Sequence, residues 1–284
     1  MKINLDCFPC FLDQALRAAK MATNDPVKIK SVLDAVALML PSISLESTPP
    51  EIGRRIYGCV HEITNNRDPY RQIKGESTKE ALGLYPYMKA LVEKSKDPLL
   101  SAIRMAIAGN IIDFGPNRKF DLKEEIDHTR RKAFALCDYE RFKDDLARAK
   151  RVLYLGDNAG ECVFDRVLLE TMGKPTTYVV REKPVINDAT VADAREAGID
   201  GVAELMSSGT DAPGTLLETC NEGFLRLYRN AELIISKGQG NYEALSGEKT
   251  PIFFLLKVKC PVIADHLKLK EGDIVLTGGS AQNS

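Results

Sequence analysis

The sequence predicts an α/β protein: a mainly helical region over residues 1–148, followed by residues 149–284 folded around a largely parallel sheet covered on both faces. Two observations predict it. Up to about Lys150 the apolar residues recur at helical spacing. From Arg151 onward, apolar runs of strand length stop at glycines or polar residues and alternate with helix-length segments, as in strands joined by crossover helices.

In the first half, residues 10–21 place Phe11, Ala15, Ala18 and Ala19 along one helical face, and residues 28–40 repeat the pattern. Pro49-Pro50 introduces a helix over 51–64, and further helices are expected over 78–95 and 97–109. The charged run 121–132 reads as a solvated helix face. In the second half, the run 152–155 is a strand stopped by Gly156, with a helix over 161–172 after it. Strand 177–180, helix 189–197, a short strand 201–204 and a long helix 215–230 come next. Strand 233–236, a helical turn 242–245 and strands 252–257 and 274–276 complete the series, and the tail 278–284 is expected to fray. There is no internal repeat and no low-complexity tract.

Composition narrows the function. The 284 residues are 44% hydrophobic and 28% charged, an ordinary globular balance with room for one large or two coupled domains. A net charge of −1 offers nothing for broad capture of nucleic acid, so any anion site must be local. No apolar run approaches the roughly 20 residues that span a bilayer, and Asp6 interrupts the start where a signal peptide would be apolar. A cytoplasmic protein without membrane contact is expected. Seven cysteines in so long a chain do not make a disulfide framework. With only His61, His128 and His266 available, oxygen ligands are the better expectation for a metal.

Ligands of open α/β sheets bind where strands end and helices begin. The first strand end runs into Gly156-Asp157-Asn158-Ala159-Gly160-Glu161, the second into a loop closing on Asn187-Asp188, and a third into Lys237-Gly238-Gln239-Gly240-Asn241. Asp157 and Asn158 offer a carboxylate and an amide oxygen suited to a hard divalent ion; they also suit a capped turn. Asp188 is either a helix N-cap or a second acid facing the same crevice, if its strand neighbours the first. The third loop resembles a phosphate cradle in which glycines admit the anion and Lys237 supplies charge; a tight turn is the alternative.

Gly156-Asp157-Asn158-Ala159-Gly160-Glu161, followed by Phe164-Asp165, resembles the signature of the domain-of-unknown-function 89 family, also called the damage-control phosphatases or acidic-residue-methyltransferase-like domain. Asn187-Asp188-Ala189-Thr190, the segment from Lys237 to Glu243, the segment from Phe254 to Pro261, Ala108-Gly109-Asn110-Ile111-Ile112-Asp113-Phe114 and Asp68-Pro69-Tyr70 are similar to further family blocks. Cys7-Phe8-Pro9-Cys10 is similar to the Cys-x-x-Cys opening of the mainly prokaryotic branch. The resemblance spans nearly the whole chain. It implies a helical N-terminal region packed on a Rossmann-like α/β/α domain, and phosphatase activity on small phosphorylated metabolites supported by manganese, cobalt, nickel or magnesium. It implies Asp157, Asn158 and Asp188 as metal ligands, which with Lys237 form the catalytic set. The substrate-binding set it implies is Asn110, Asp113, Glu161, Lys237, Gly238, Gly240, Asn241 and Lys259. Two other classes stay open: a protein carboxyl methyltransferase using S-adenosylmethionine, suggested by the family's name, and a non-catalytic phosphometabolite-binding protein. Cys7 and Cys10 have the spacing of half a tetrahedral metal site, which Cys59 and His61 could complete; a redox pair or buried thiols are the alternatives.

Overall fold

The computed structural model describes residues 1–109 and 122–279. Asn110 and Asp113 therefore lie outside the described residues, as does the end of the tail.

Three helices, α1 (Cys7–Ala22), α2 (Pro26–Met39) and α3 (Pro49–Thr64), share a core of their own. Phe11, Ala15, Ala18 and Ala19 face it, as their spacing requires, with Val32, Val36, Ile52, Ile56 and Val60 opposite. Asp25 caps α2 by accepting from Val27 and Lys28, ahead of Pro26 in the first turn, where no N–H is needed. The next helices behave differently. α4 (Arg71–Glu93) and α5 (Pro98–Ala108) pack on α8 (Glu161–Met172) of the second half, while α6 (Leu122–Arg131) lies beside α5.

Among the described residues the sheet has seven strands: β1 (Phe134–Cys137), β2 (Val152–Leu155), β3 (Thr176–Val180), β4 (Glu204–Ser207), β5 (Ile234–Lys237), β6 (Ile252–Lys257) and β7 (Ile274–Gly278). Their order is β1-β7-β6-β5-β2-β3-β4, and every neighbouring pair is parallel except β6 with β7. Side chains alternate between faces, so Tyr154, Tyr178, Ile235 and Phe253 enter the core under α4, α5, α8 and α7 (Tyr139–Arg148). Leu153, Leu155, Ile234 and Phe254 enter the opposite core, with residues of α10 (Glu222–Arg229), α11 (Gln239–Leu245) and α12 (Pro261–Leu267). This is the expected α/β/α sandwich with a helical region at its N-terminal side.

The sheet begins earlier than the 148/149 boundary drawn from sequence, because β1 joins it beside β7. The apolar run Phe134-Ala135-Leu136-Cys137, between Arg130-Arg131-Lys132 and Asp138, could have marked it, but of the four only Phe134 favours a strand. The Asp138 carboxylate secures the junction, accepting from the Gly278 N–H at 2.7 Å and from the Thr277 hydroxyl at 3.2 Å. Gly278, expected to fray, is thus strand. The long helix expected over 215–230 is also corrected. Only Glu222–Arg229 is α-helical, because Asn221 caps it by accepting from the Phe224 N–H and Thr215 is engaged elsewhere. The short strand falls at Glu204–Ser207 rather than 201–204, where Ile199–Gly201 forms a 3-10 turn instead. Among the described residues no helix is long and apolar enough to cross a membrane.

Candidate active site at the β2–β5 switch point

Between β2 and β5 the chain reverses its direction of travel across the sheet, opening the crevice where doubly wound folds bind ligands. The fully buried β2 ends at Gly156, where an added Cβ would lie 2.6 Å from the Tyr178 hydroxyl. The neighbouring β3 leads to the Asn187-Asp188 loop. The two loops clasp each other through their backbones. Asn158 and Asp188 form an antiparallel bridge, Ala159 N–H donates to Asn187 at 2.9 Å, and Ala189 N–H donates to Asp157 at 2.8 Å. Asp157, Asn158 and Asp188 are thereby brought together.

The second loop is held from both sides. Val185 is buried in the α1–α3 core and Ile186 packs on it, with Ile186 at φ +39, a left-handed conformation unusual for a β-branched residue. Beyond Asp188, Thr190 and Asp193 form the capping box of α9 (Val191–Glu196). The buried Lys74 of α4 donates to Asp193 at 3.1 Å, tying that cap to the helical region.

Two buried cations sit beneath the acids. Arg181, just past β3, donates through Nε to Asp188 Oδ2 at 2.8 Å, through Nη1 to Thr215 at 3.0 Å and through Nη2 to Asn241 at 3.0 Å. Its Nη2 also lies 4.0 Å from Asp157 Oδ1. Lys237 closes β5 and is fully buried, with its ammonium 2.6 Å from Asp165 Oδ1 and 3.2 Å from Glu161 Oε2. Burial opposes its charge, but Asp165 and Glu161 together hold it above the ordinary lysine value. Tyr154 and Tyr178 each donate to Asp165 at 2.7 Å.

Several residues expected to meet substrate are therefore internal. Lys237 reaches carboxylates under the site. Asn241 spends its amide inside, donating to Gly156 and Lys237 carbonyls and accepting from Arg181 and Thr215. Gly238, at φ +81, lets Asp157 approach: a Cβ there would lie 1.9 Å from Oδ2. Gly240 makes room for the Pro213 carbonyl, 2.1 Å from a Cβ built there. Glu161 is buried, whereas Lys259 is exposed and acts electrostatically on Asp157, Glu161 and Asp188. Sequence reasoning missed Arg181, Thr215, Tyr154 and Tyr178. Asp165, quoted beside the Gly156–Glu161 signature but given no role, was missed too; its place one helical turn after Glu161, on the same face of α8, is the signal that could have found it.

Burial, then Asp188, pushes Asp157 up to about 6, against the pull of Lys259, Arg181 and Lys237. Burial also raises Asp188, while Arg181 draws it down, and it pushes Glu161 up to about 7. Two desolvated acids close enough to raise each other's charge cost, with the Asn158 amide beside Asp157, form a hard-oxygen donor set that gains from a divalent cation. Among the described residues no group of three or more His, Cys, Asp or Glu side chains is arranged to hold a metal, so an ion here would complete its shell with the Asn158 amide and water. Nor do Cys59 and His61 complete a cluster with Cys7 and Cys10. Cys7 is buried at the start of α1, Cys10 is exposed, and all seven cysteines are free thiols.

Glu243, half-buried on α11, is pushed up to about 7, chiefly by burial, while Gln239 and the N-terminal ammonium pull it down. A carboxyl that holds its proton more tightly when folded has no effect well below its ordinary value and weakens the fold as pH rises toward 7. Glu243→Gln is therefore expected to exceed the parent in unfolding free energy at pH 8 by roughly 1–2 kcal/mol, discounted for partial exposure. Denaturant titrations should show the two converging near pH 4.

The sequence profile of the damage-control phosphatase ARMT1-like domain matches residues 3–275. The chain belongs to this family. Damage-control phosphatase PH1575 of Pyrococcus horikoshii is 33% identical over 282 residues, 97% of each chain. A damage-control phosphatase of Archaeoglobus fulgidus is 34% identical over 285 residues, 97% of this chain and 98% of that one. The crystal structure of a DUF89 family protein from Pyrococcus horikoshii superposes with a TM-score of 0.90 at 31% identity, covering 98% of this chain and 99% of the other. Relatives so named support a phosphatase role for the ARMT1-like domain family, and the shared fold extends over nearly all of both chains.

Proposed function

We propose that the protein is a divalent-metal-dependent phosphatase acting on small phosphate monoesters, such as sugar phosphates or damaged phosphorylated metabolites. The observation that carries this reading is the backbone clasp that sets Asp157, Asn158 and Asp188 side by side at the switch point. These three would hold manganese, cobalt, nickel or magnesium. A bound ion supplies positive charge to the phosphoryl oxygens as the ester bond breaks. Exposed Lys259 donates to the remaining phosphoryl oxygens and orients the ester for in-line attack by water. Lys237 and Arg181 stay beneath, offsetting the charge of the acids without touching substrate.

The test is phosphate release from p-nitrophenyl phosphate and a panel of sugar phosphates. Chelation should lower it by at least about tenfold, on the scale of losing a metal's supporting ligand, and adding back one of the four ions should restore it. Full activity after exhaustive chelation sinks the metal reading. Phosphoester binding without turnover under any of the ions makes the protein a sensor instead.

A further inference from the structure

Glu161 opens α8 at the floor of the crevice and is 1% exposed, too deep to meet a substrate. Its two oxygens are divided. Oε2 faces the Lys237 ammonium at 3.2 Å, and Oε1 accepts from Asn158 Nδ2 at 2.6 Å. The same Nδ2 lies 3.3 Å from Asp157 Oδ2. Ionised carboxylates only accept, and an amide donates only through its nitrogen, so both hydrogens of the Asn158 NH2 are committed to acids. Turning the amide over would set its oxygen against two carboxylate oxygens. The Asn158 carbonyl oxygen is thereby turned away from Glu161 Oε1 and Asp157 Oδ2, so that Asp157 Oδ1 is the oxygen with which it would share an ion.

We propose that Glu161 is a positioning residue that fixes the Asn158 amide so that its oxygen, rather than its NH2, is offered to the cation site; this rests on the reading that Asp157, Asn158 and Asp188 bind a divalent ion. Only the oxygen can ligate a hard cation. The support reaches back into the sheet. Lys237 can satisfy Oε2 because its other partner, Asp165, is itself pinned by the Tyr154 and Tyr178 hydroxyls.

The proposal makes the isosteric substitution the more damaging one. Glu161→Gln leaves one acceptor oxygen at this position, and the Lys237 ammonium, which has only donors, takes it through a charge-assisted bond. The new NH2 then faces Asn158, whose amide turns over to accept from it and presents nitrogen to the cation. Glu161→Met removes the same charge but places no donor against Asn158, which keeps its bond to Asp157. Mn2+ binding by titration calorimetry at pH 8, with thermal unfolding of the metal-free proteins recorded in parallel, separates the two. Glu161→Gln is expected to bind Mn2+ about tenfold more weakly than Glu161→Met, on the scale of losing an outer-shell partner. Glu161→Gln/Asn158→Asp restores the parent's net charge and gives one oxygen to the Gln NH2 and one to the ion, so its affinity should lie within a few-fold of the parent. Equal losses in the Gln and Met variants reduce Glu161 to a charge effect and overturn the proposal. If either single variant does not fold, the double variant carries the test, and its failure to bind overturns the proposal. A parent protein that binds no Mn2+ rejects the underlying cation reading itself.

Discussion

Lys237→Met is expected to lower the free energy of unfolding by about 3–5 kcal/mol, the cost of removing one partner from a buried ion pair. In a chain of this size that corresponds to a drop in melting temperature on the order of 10 °C. The ammonium is fully buried, so no water replaces it, and Asp165 and Glu161 would face each other without a cation. Asp165→Asn combined with Lys237→Met should recover part of the loss, because Asn can still accept from one tyrosine hydroxyl and no longer carries charge. A lysine serving as a phosphate donor from the loop would behave oppositely, with stability unchanged and kcat/KM reduced. Calorimetry and steady-state kinetics on the two variants distinguish these cases. A melting temperature within 2 °C or so of the parent would return Lys237 to the crevice surface.

Gly238→Ala is expected to cut phosphate ester hydrolysis on the order of a hundredfold, the scale for displacing a reacting group by about 1 Å. The added Cβ would sit 1.9 Å from Asp157 Oδ2, far inside van der Waals contact, so the carboxylate must move. The backbone there is at φ +81, which adds strain to the collision. Gly247→Ala is the control, since a Cβ there meets nothing within 4 Å, and it should keep parental activity. Parental turnover in Gly238→Ala would mean that Asp157 need not stay where the structure puts it.

Much of this was legible in the sequence, and what was not has a common cause. Apolar runs ended by Gly156 and by Lys237-Gly238 marked β2 and β5, and adjacent parallel strands were enough to bring Asp157 and Asp188 together. The direction of a side chain at a strand end was not legible. With β5 taken to stop at Ser236, Lys237 falls in a loop; with one residue more, it alternates onto the face of Ile235 and points at α8. Tyr154 and Tyr178 read as core because they lie within apolar runs. Only the β2–β3 register, which sets them opposite each other with rings stacked at 5.1 Å, shows two hydroxyls converging on Asp165. Arg181 has partners at positions 188, 215 and 241, on separate segments, so no local spacing reports it.

The pairing of β1 with β7 has a consequence for biosynthesis. Asp138 and Gly278 meet across 140 residues of chain, so a nascent chain that has emerged through β6 still has no neighbour for β1. At that stage β6, with five of its six residues buried in the finished fold, presents an open hydrogen-bonding edge. Such an edge invites association with other nascent chains, and early capture by a chaperone protects it. By contrast, β2, β3 and β4 are consecutive neighbours and can pair soon after they leave the ribosome. The half of the sheet that carries Asp157 and Asp188 can thus assemble first, and the vulnerable interval during translation belongs to the opposite edge.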